Sequence, residues 1–159
     1  MSRLALFAAS AAFLATSGVT AGNSADPTNS AERPDATDLV ALRQAGMRMM
    51  VSTLAAVGRG AEDETALLKR TGFAIGGLQR FAQALPSLYG AETATVAGTR
   101  ALPEVWSDKE SFEARAAEFK SAVDTLGAAA AADDRAAFTQ ALESTKGACK
   151  ACHDSFRAE

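Results

Sequence analysis

The sequence predicts an all-α protein, an antiparallel four-helix bundle, on three observations. Aromatic residues make up only 6% of the 159-residue chain, and alanine is abundant throughout. No segment sustains the alternation of β-branched residues that marks a strand. Four stretches instead carry apolar residues at steps of three and four, the spacing that lines one face of a helix. A chain of this length has room for one domain with a real core.

The opening stretch, MSRLALFAASAAFLATSGVTAG, has one early positive charge at Arg3, an apolar run from Leu4 to Leu14 and small residues at Val19 and Ala21. It reads as a secretory signal peptide over residues 1–21, cleaved near Ala21. The apolar run is well short of the roughly twenty residues that span a bilayer. The expectation is therefore a periplasmic protein whose mature chain does not insert into a membrane. Residues 22–34, rich in Ser, Asn, Asp and Pro, read as a flexible lead to a domain over 35–159. The formal net charge of −3 becomes −4 once Arg3 is removed, which disfavours nucleic acid as a partner.

The first helix carries Leu39, Arg43, Met47, Met50, Leu54 and Val57 on one face and is expected to end near Gly58 and Gly60. The acidic cluster Glu62-Asp63-Glu64 suits the positive end of a second helix, which continues through Leu68, Thr71, Ile75, Leu78, Ala82 and Leu85 and closes at Pro86. Gly72, Gly76 and Gly77 lie inside it, each costing up to about 1 kcal/mol relative to alanine, which suggests that something bulky packs against them. Pro86 to Trp106 reads as a long irregular connection, with Trp106 as its packing anchor. Ser107 or Asp108 caps a third helix with Phe112, Phe119, Val123 and Leu126 on one stripe, and Asp133 or Asp134 starts the fourth. Four helices of similar length, three of them joined by short links, describe an up-down bundle.

The fourth helix places Phe138, Leu142, Thr145, Cys149, Cys152 and Phe156 on its inward stripe. Both cysteines and the single histidine of the chain fall within CKACH, Cys149 to His153. A structural zinc site needs four ligands, and these three are too few. A thioredoxin-like dithiol belongs at the start of a helix, where the dipole lowers a thiol pKa, whereas this pair lies near a helix end. C-x-x-C-H supplies what covalent haem attachment requires: two thiols facing one way and an adjacent imidazole. One covalently bound haem c is the expected cofactor.

With this motif on the last helix of a bundle, the chain resembles the class II c-type cytochromes, the cytochrome c-prime family. RQAGMRMM at Arg43 to Met50, ALPEVWSDKESF at Ala101 to Phe112 and GACKACHDSFR at Gly147 to Arg157 carry the likeness. The resemblance implies that Cys149 and Cys152 form the thioethers and that His153 is the axial ligand. It also implies that Arg43 and Gln44 lie near the haem propionates, with Thr99 or Arg100 as further contacts.

High-spin members of this family leave the sixth iron position empty and bind nitric oxide or carbon monoxide, whereas low-spin members fill it with a methionine and carry electrons. The matching residue is Met47. Two readings stand: Met47 as sixth ligand, with Gly46 leaving room for its sulfur, or Met47 as a flexible core filler. Met49 faces the other side of the helix. The expected function is an electron carrier and not an enzyme, with gas binding as the alternative. Redox proteins are the expected partners, and relatives that dimerise through their first two helices make a homodimer a further expectation. Lys146 and Lys150 are most simply helix-end lysines favoured by the dipole.

Overall fold

The computed structural model describes residues 34–159; the segments expected to be a signal peptide (1–21) and a flexible lead (22–34) lie, as far as residue 33, outside the described residues. Helix α1 runs from Ala36 to Glu62, capped by Asp35, whose carboxylate accepts the Asp38 N–H at 2.9 Å. Val40, Arg43, Met50, Leu54 and Val57 are buried along it. The helix passes straight through Gly58 and Gly60, its expected end. The Arg135 guanidinium, far along the chain, donates to the Ala61 carbonyl and secures the last turn.

The acidic cluster does not start the second helix. Asp63 terminates α1 and folds into a turn, its carboxylate accepting the N–H and hydroxyl of Thr65 at 2.9 and 2.7 Å. A 3-10 turn over Leu68–Thr71 then leads into α2, Gly72–Ala84. At 13 residues, α2 is the short member of the bundle, against 27, 23 and 22 in the other three. Its buried face is Ile75, Leu78 and Ala82. Gly72, Gly76 and Gly77 do not meet a bulky neighbour, because a side chain built at any of them would touch nothing within 4 Å. They lie away from the core, beside Phe73, which is 93% exposed. Close packing occurs instead at Gly46, where a methyl group would overlap the ring of Phe81 from α2. That glycine therefore brings α1 against α2.

A short helix, α3, covers Glu104–Ser107, and α4 spans Lys109–Ala131 behind an Asp108 cap. Its stripe of Phe112, Phe119, Val123 and Leu126 is buried as expected. After a tight turn, Asp134 caps α5, Arg135–Phe156. Asp133, in that turn, has φ 56°, a conformation rare outside glycine, and its carboxylate accepts the Leu68 N–H at 2.6 Å. The main core joins α1, α2, α4 and α5 around Ile75, Val123, Leu126 and Phe138. Surface charges on α4 and α5, including Lys146 with Glu143 and Lys150 with Asp154, pair along their own helices. No helix among the described residues is long and apolar enough to cross a membrane.

Arg135 also donates to the carbonyls of Ala66 at 2.8 Å and Glu64 at 3.4 Å, so one side chain holds the α1–α2 link against the start of α5. Arg135→Ala removes the donor of three backbone carbonyls, two of them partly buried, and is expected to cost about 2 kcal/mol. Urea unfolding checks this: the midpoint should fall with the slope unchanged.

Candidate functional site

A cavity of about 510 Å³ opens between α1, α5 and the segment 85–101. Its α5 wall presents Cys149, Cys152 and His153, all partly buried, with both thiols free. Residues at i and i+3 lie one above the other on a helix, so the two sulfurs belong to one face. Its α1 wall presents Met47, Met50 and Leu54, and Leu85, Phe112 and Phe156 complete an apolar lining. Met50 is 7% exposed and packs into the main core, Met47 is partly buried at the cavity, and Met49 is 70% exposed on the outer face.

Burial pushes the Cys149 thiol up to about 11, with the Cys152 thiol adding to the shift. Burial raises Cys152 as well, partly offset by Arg115. Both thiols are therefore held protonated, the reverse of a dithiol tuned for exchange. His153 is shifted down, first by burial and then by Arg157, with Asp154 opposing. The neutral imidazole, the form that ligates a metal, is favoured. Arg157 stands one turn beyond His153, with Nη1 3.4 Å from the imidazole Nδ1. It escaped the sequence reading, although its i+4 spacing from the histidine was a usable signal.

Arg43 is 3% exposed. Its Nη1 donates to the Leu88 carbonyl at 3.1 Å and the Thr93 hydroxyl at 3.3 Å, and its Nη2 to the Thr99 hydroxyl at 2.6 Å. The guanidinium carbon lies 4.2 Å from the Tyr89 ring centroid, a cation–π contact. Burial lowers its pKa, but an arginine stays charged nonetheless. Among the described residues it has no carboxylate partner. Gln44 donates to the Gly98 carbonyl at 2.9 Å, where φ is +80° and glycine is required. Thr99 is engaged by Arg43, and the Arg100 guanidinium donates to the Ala158 carbonyl at 3.0 Å while lining the cavity.

The long connection is thus an ordered wall. Ala101 bridges to Arg157, Leu102 donates to the Phe156 carbonyl at 3.0 Å, and the Trp106 indole donates to the carbonyls of Tyr89 and Gly90 at 3.1 Å. Tyr89 stacks at a tilt on Phe112, with ring centroids 4.7 Å apart. Tyr89 was not expected at the site, since a lone aromatic in an irregular loop carries no periodic signal.

These residues fit a haem. Paired thiols stand next to a neutral imidazole, an apolar cavity has the size of a cofactor site, and a buried cation lacks an anionic partner where the propionates would need one. Fold and wall chemistry together define a four-helix bundle that carries one covalent haem c. The chain belongs to the cytochrome c′ family, whose model, described as Cytochrome C', matches residues 38–157.

Cytochrome c′ of Rubrivivax gelatinosus is 50% identical over 60 residues, covering 38% of this chain and about half (46%) of that relative. Its crystal structure aligns with TM-score 0.70 at 31% identity, over 77% of this chain and 97% of that one. A cytochrome c′ described as showing ligand-controlled dimer dissociation aligns with TM-score 0.72 at 28% identity, over 79% and 98% of the two chains. A ferrous variant of the Alcaligenes xylosoxidans protein with bound NO aligns with TM-score 0.71 at 26% identity, over 80% and 99%.

Proposed function

We propose that this protein is a periplasmic electron carrier, not an enzyme, with Cys149 and Cys152 holding the haem and His153 and Met47 as its two axial ligands. The observation that carries this reading is one cavity with the thiols and imidazole on its α5 wall and a partly buried methionine on its α1 wall. Haem c, when bound, supplies a one-electron ferric/ferrous couple. The chain supplies the setting. Leu54, Leu85, Phe112 and Phe156 exclude water, and His153 offers a neutral nitrogen. Arg43 presents a positive charge to the propionates, with Gln44, Thr99 and Arg100 at the same edge. A thioether ligand raises the reduction potential.

Met47→Leu tests the assignment, because it keeps volume and apolarity while removing the sulfur and is expected to cost under about 1.5 kcal/mol of stability. The expected result is conversion from a six-coordinate low-spin spectrum indifferent to carbon monoxide to a high-spin spectrum that shifts with it. A wild-type protein already high-spin would overturn Met47 ligation.

That outcome would favour a second reading, capture of nitric oxide at an open sixth position, which the NO-bound relative supports. A homodimer through α1 and α2 also fits. Leu42, Met49 and Phe73 are exposed apolar residues on these helices, and one relative is described as a dissociating dimer.

A further inference from the structure

Gly46 lies inside α1, where glycine is less favourable than alanine, so its presence calls for a compensating contact. Most helical glycines of the described residues have none: Gly60, Gly72, Gly76, Gly77 and Gly147 have open space where a side chain would begin. A methyl group at Gly58 would stand 3.3 Å from Leu142, and one at Gly127 2.8 Å from the amide tip of the Gln79 side chain. At Gly46 it would overlap one edge of the Phe81 ring, at Cε2 and Cζ, with Cδ2 at 3.0 Å. Phe81 has only two side-chain torsions and packs, partly buried, against the main core, so its ring has few other places to go. The space beside Gly46 belongs to that ring and is not free for a neighbouring sulfur.

Met47 is the next residue along α1 and packs against the same core. Leu85, one turn beyond Phe81, is buried and lines the cavity that Met47 also lines. The Gly46–Phe81 contact therefore fixes how closely α1 approaches α2 beside the methionine wall of the cavity. Neither Gly46 nor Phe81 lines the cavity, so any influence on a ligand there passes through the backbone of Met47. Methionine has three rotatable bonds and adapts to the space it is given. A metal–ligand bond tolerates only about 0.2 Å, so the backbone beneath such a flexible side chain has to be held by packing.

We propose that Phe81, seated against Gly46, is a positioning residue that holds Met47 at bonding distance from the iron and so keeps the sixth position closed to small gas molecules. The proposal rests on the Met47-ligated reading. When carbon monoxide replaces Met47, one coordinate bond breaks and another forms at ferrous iron; no electron or proton is transferred. The apparent gas affinity is the intrinsic affinity scaled by the fraction of molecules in which the position is open. Loosening the Met47 backbone raises that fraction.

The test is carbon monoxide titration of the ferrous holoprotein, with optical spectra, for wild type and variants. Gly46→Ala should bind the gas at least about ten-fold more tightly than wild type. Combining it with Phe81→Leu, whose shorter side chain makes room for the methyl group, should bring affinity back to within about three-fold of wild type. Phe81→Leu alone leaves the space beside Gly46 partly filled and should tighten binding at least about three-fold, which carries the test should Gly46→Ala fail to fold. Arg135→Ala loosens α1 at its far end and should leave gas affinity unchanged, as the control for lost stability. Unchanged affinity in both single variants of a low-spin wild type would overturn the positioning role and leave Met47 ligation standing. An equal gain in Arg135→Ala would also overturn it, as would a double variant no closer to wild type than Gly46→Ala. A wild type already high-spin would overturn the ligation itself, and the positioning role with it.

Discussion

Replacing Cys149 and Cys152 together with alanine should give a folded protein that surrenders all of its haem to acidified organic solvent, while the wild type retains it. The two sulfurs are the covalent tether, and alanine preserves the helix that carries them. The fold should survive because the core around Val123, Leu126 and Phe138 lies along other parts of the bundle. A loss of about 1 kcal/mol per cysteine is expected from the packing removed. Either single substitution should leave haem bound through one sulfur and shift the pyridine haemochrome spectrum. Retention of haem by the double variant after extraction would contradict the assignment.

Arg43→Ala should cost about 2–4 kcal/mol in urea unfolding and expose the 85–101 segment to proteolysis. The substitution removes three hydrogen bonds and the Tyr89 contact, and it leaves the Leu88 carbonyl and the Thr99 hydroxyl without their donor. Freedom from the burial penalty of an unpaired cation offsets part of this, which sets the upper bound. Arg43→Lys should recover only part, because a single ammonium cannot replace a planar fork that donates in three directions. A change below about 0.5 kcal/mol, with proteolysis unaltered, would show that the loop holds itself together.

Local rules explain what was legible. The α4 stripe, the Asp108 and Asp134 caps and the inward row of α5 depend on residues within a turn or two, and each lies where its spacing placed it. What escaped depends on distant partners. Gly58 and Gly60 remain helical because Arg135 secures the following turn from another element. The acidic cluster becomes a turn because Thr65 supplies donors two residues beyond Asp63. Gly72, Gly76 and Gly77 read as a close-packing site, yet the close approach is at Gly46, which was assigned to making room for the Met47 sulfur. Glycine spacing reports that a side chain is missing, not which neighbour occupies the space.

The candidate site divides the same way. CKACH was legible because its chemistry is written in adjacent residues. The anchoring of Arg43 was not, since Thr93 and Thr99 lie 50 and 56 residues away in a segment without periodicity. Tyr89 and Arg157 enter the site only where the 85–101 segment packs against Arg43 of α1 and bridges to the end of α5.

Intact mass and thiol alkylation of the protein, expressed with cytochrome maturation machinery, test the central claim most directly. The expected product is coloured, heavier than the polypeptide by one haem, and unreactive at Cys149 and Cys152. A folded, colourless protein of polypeptide mass with both thiols open to alkylation would contradict it.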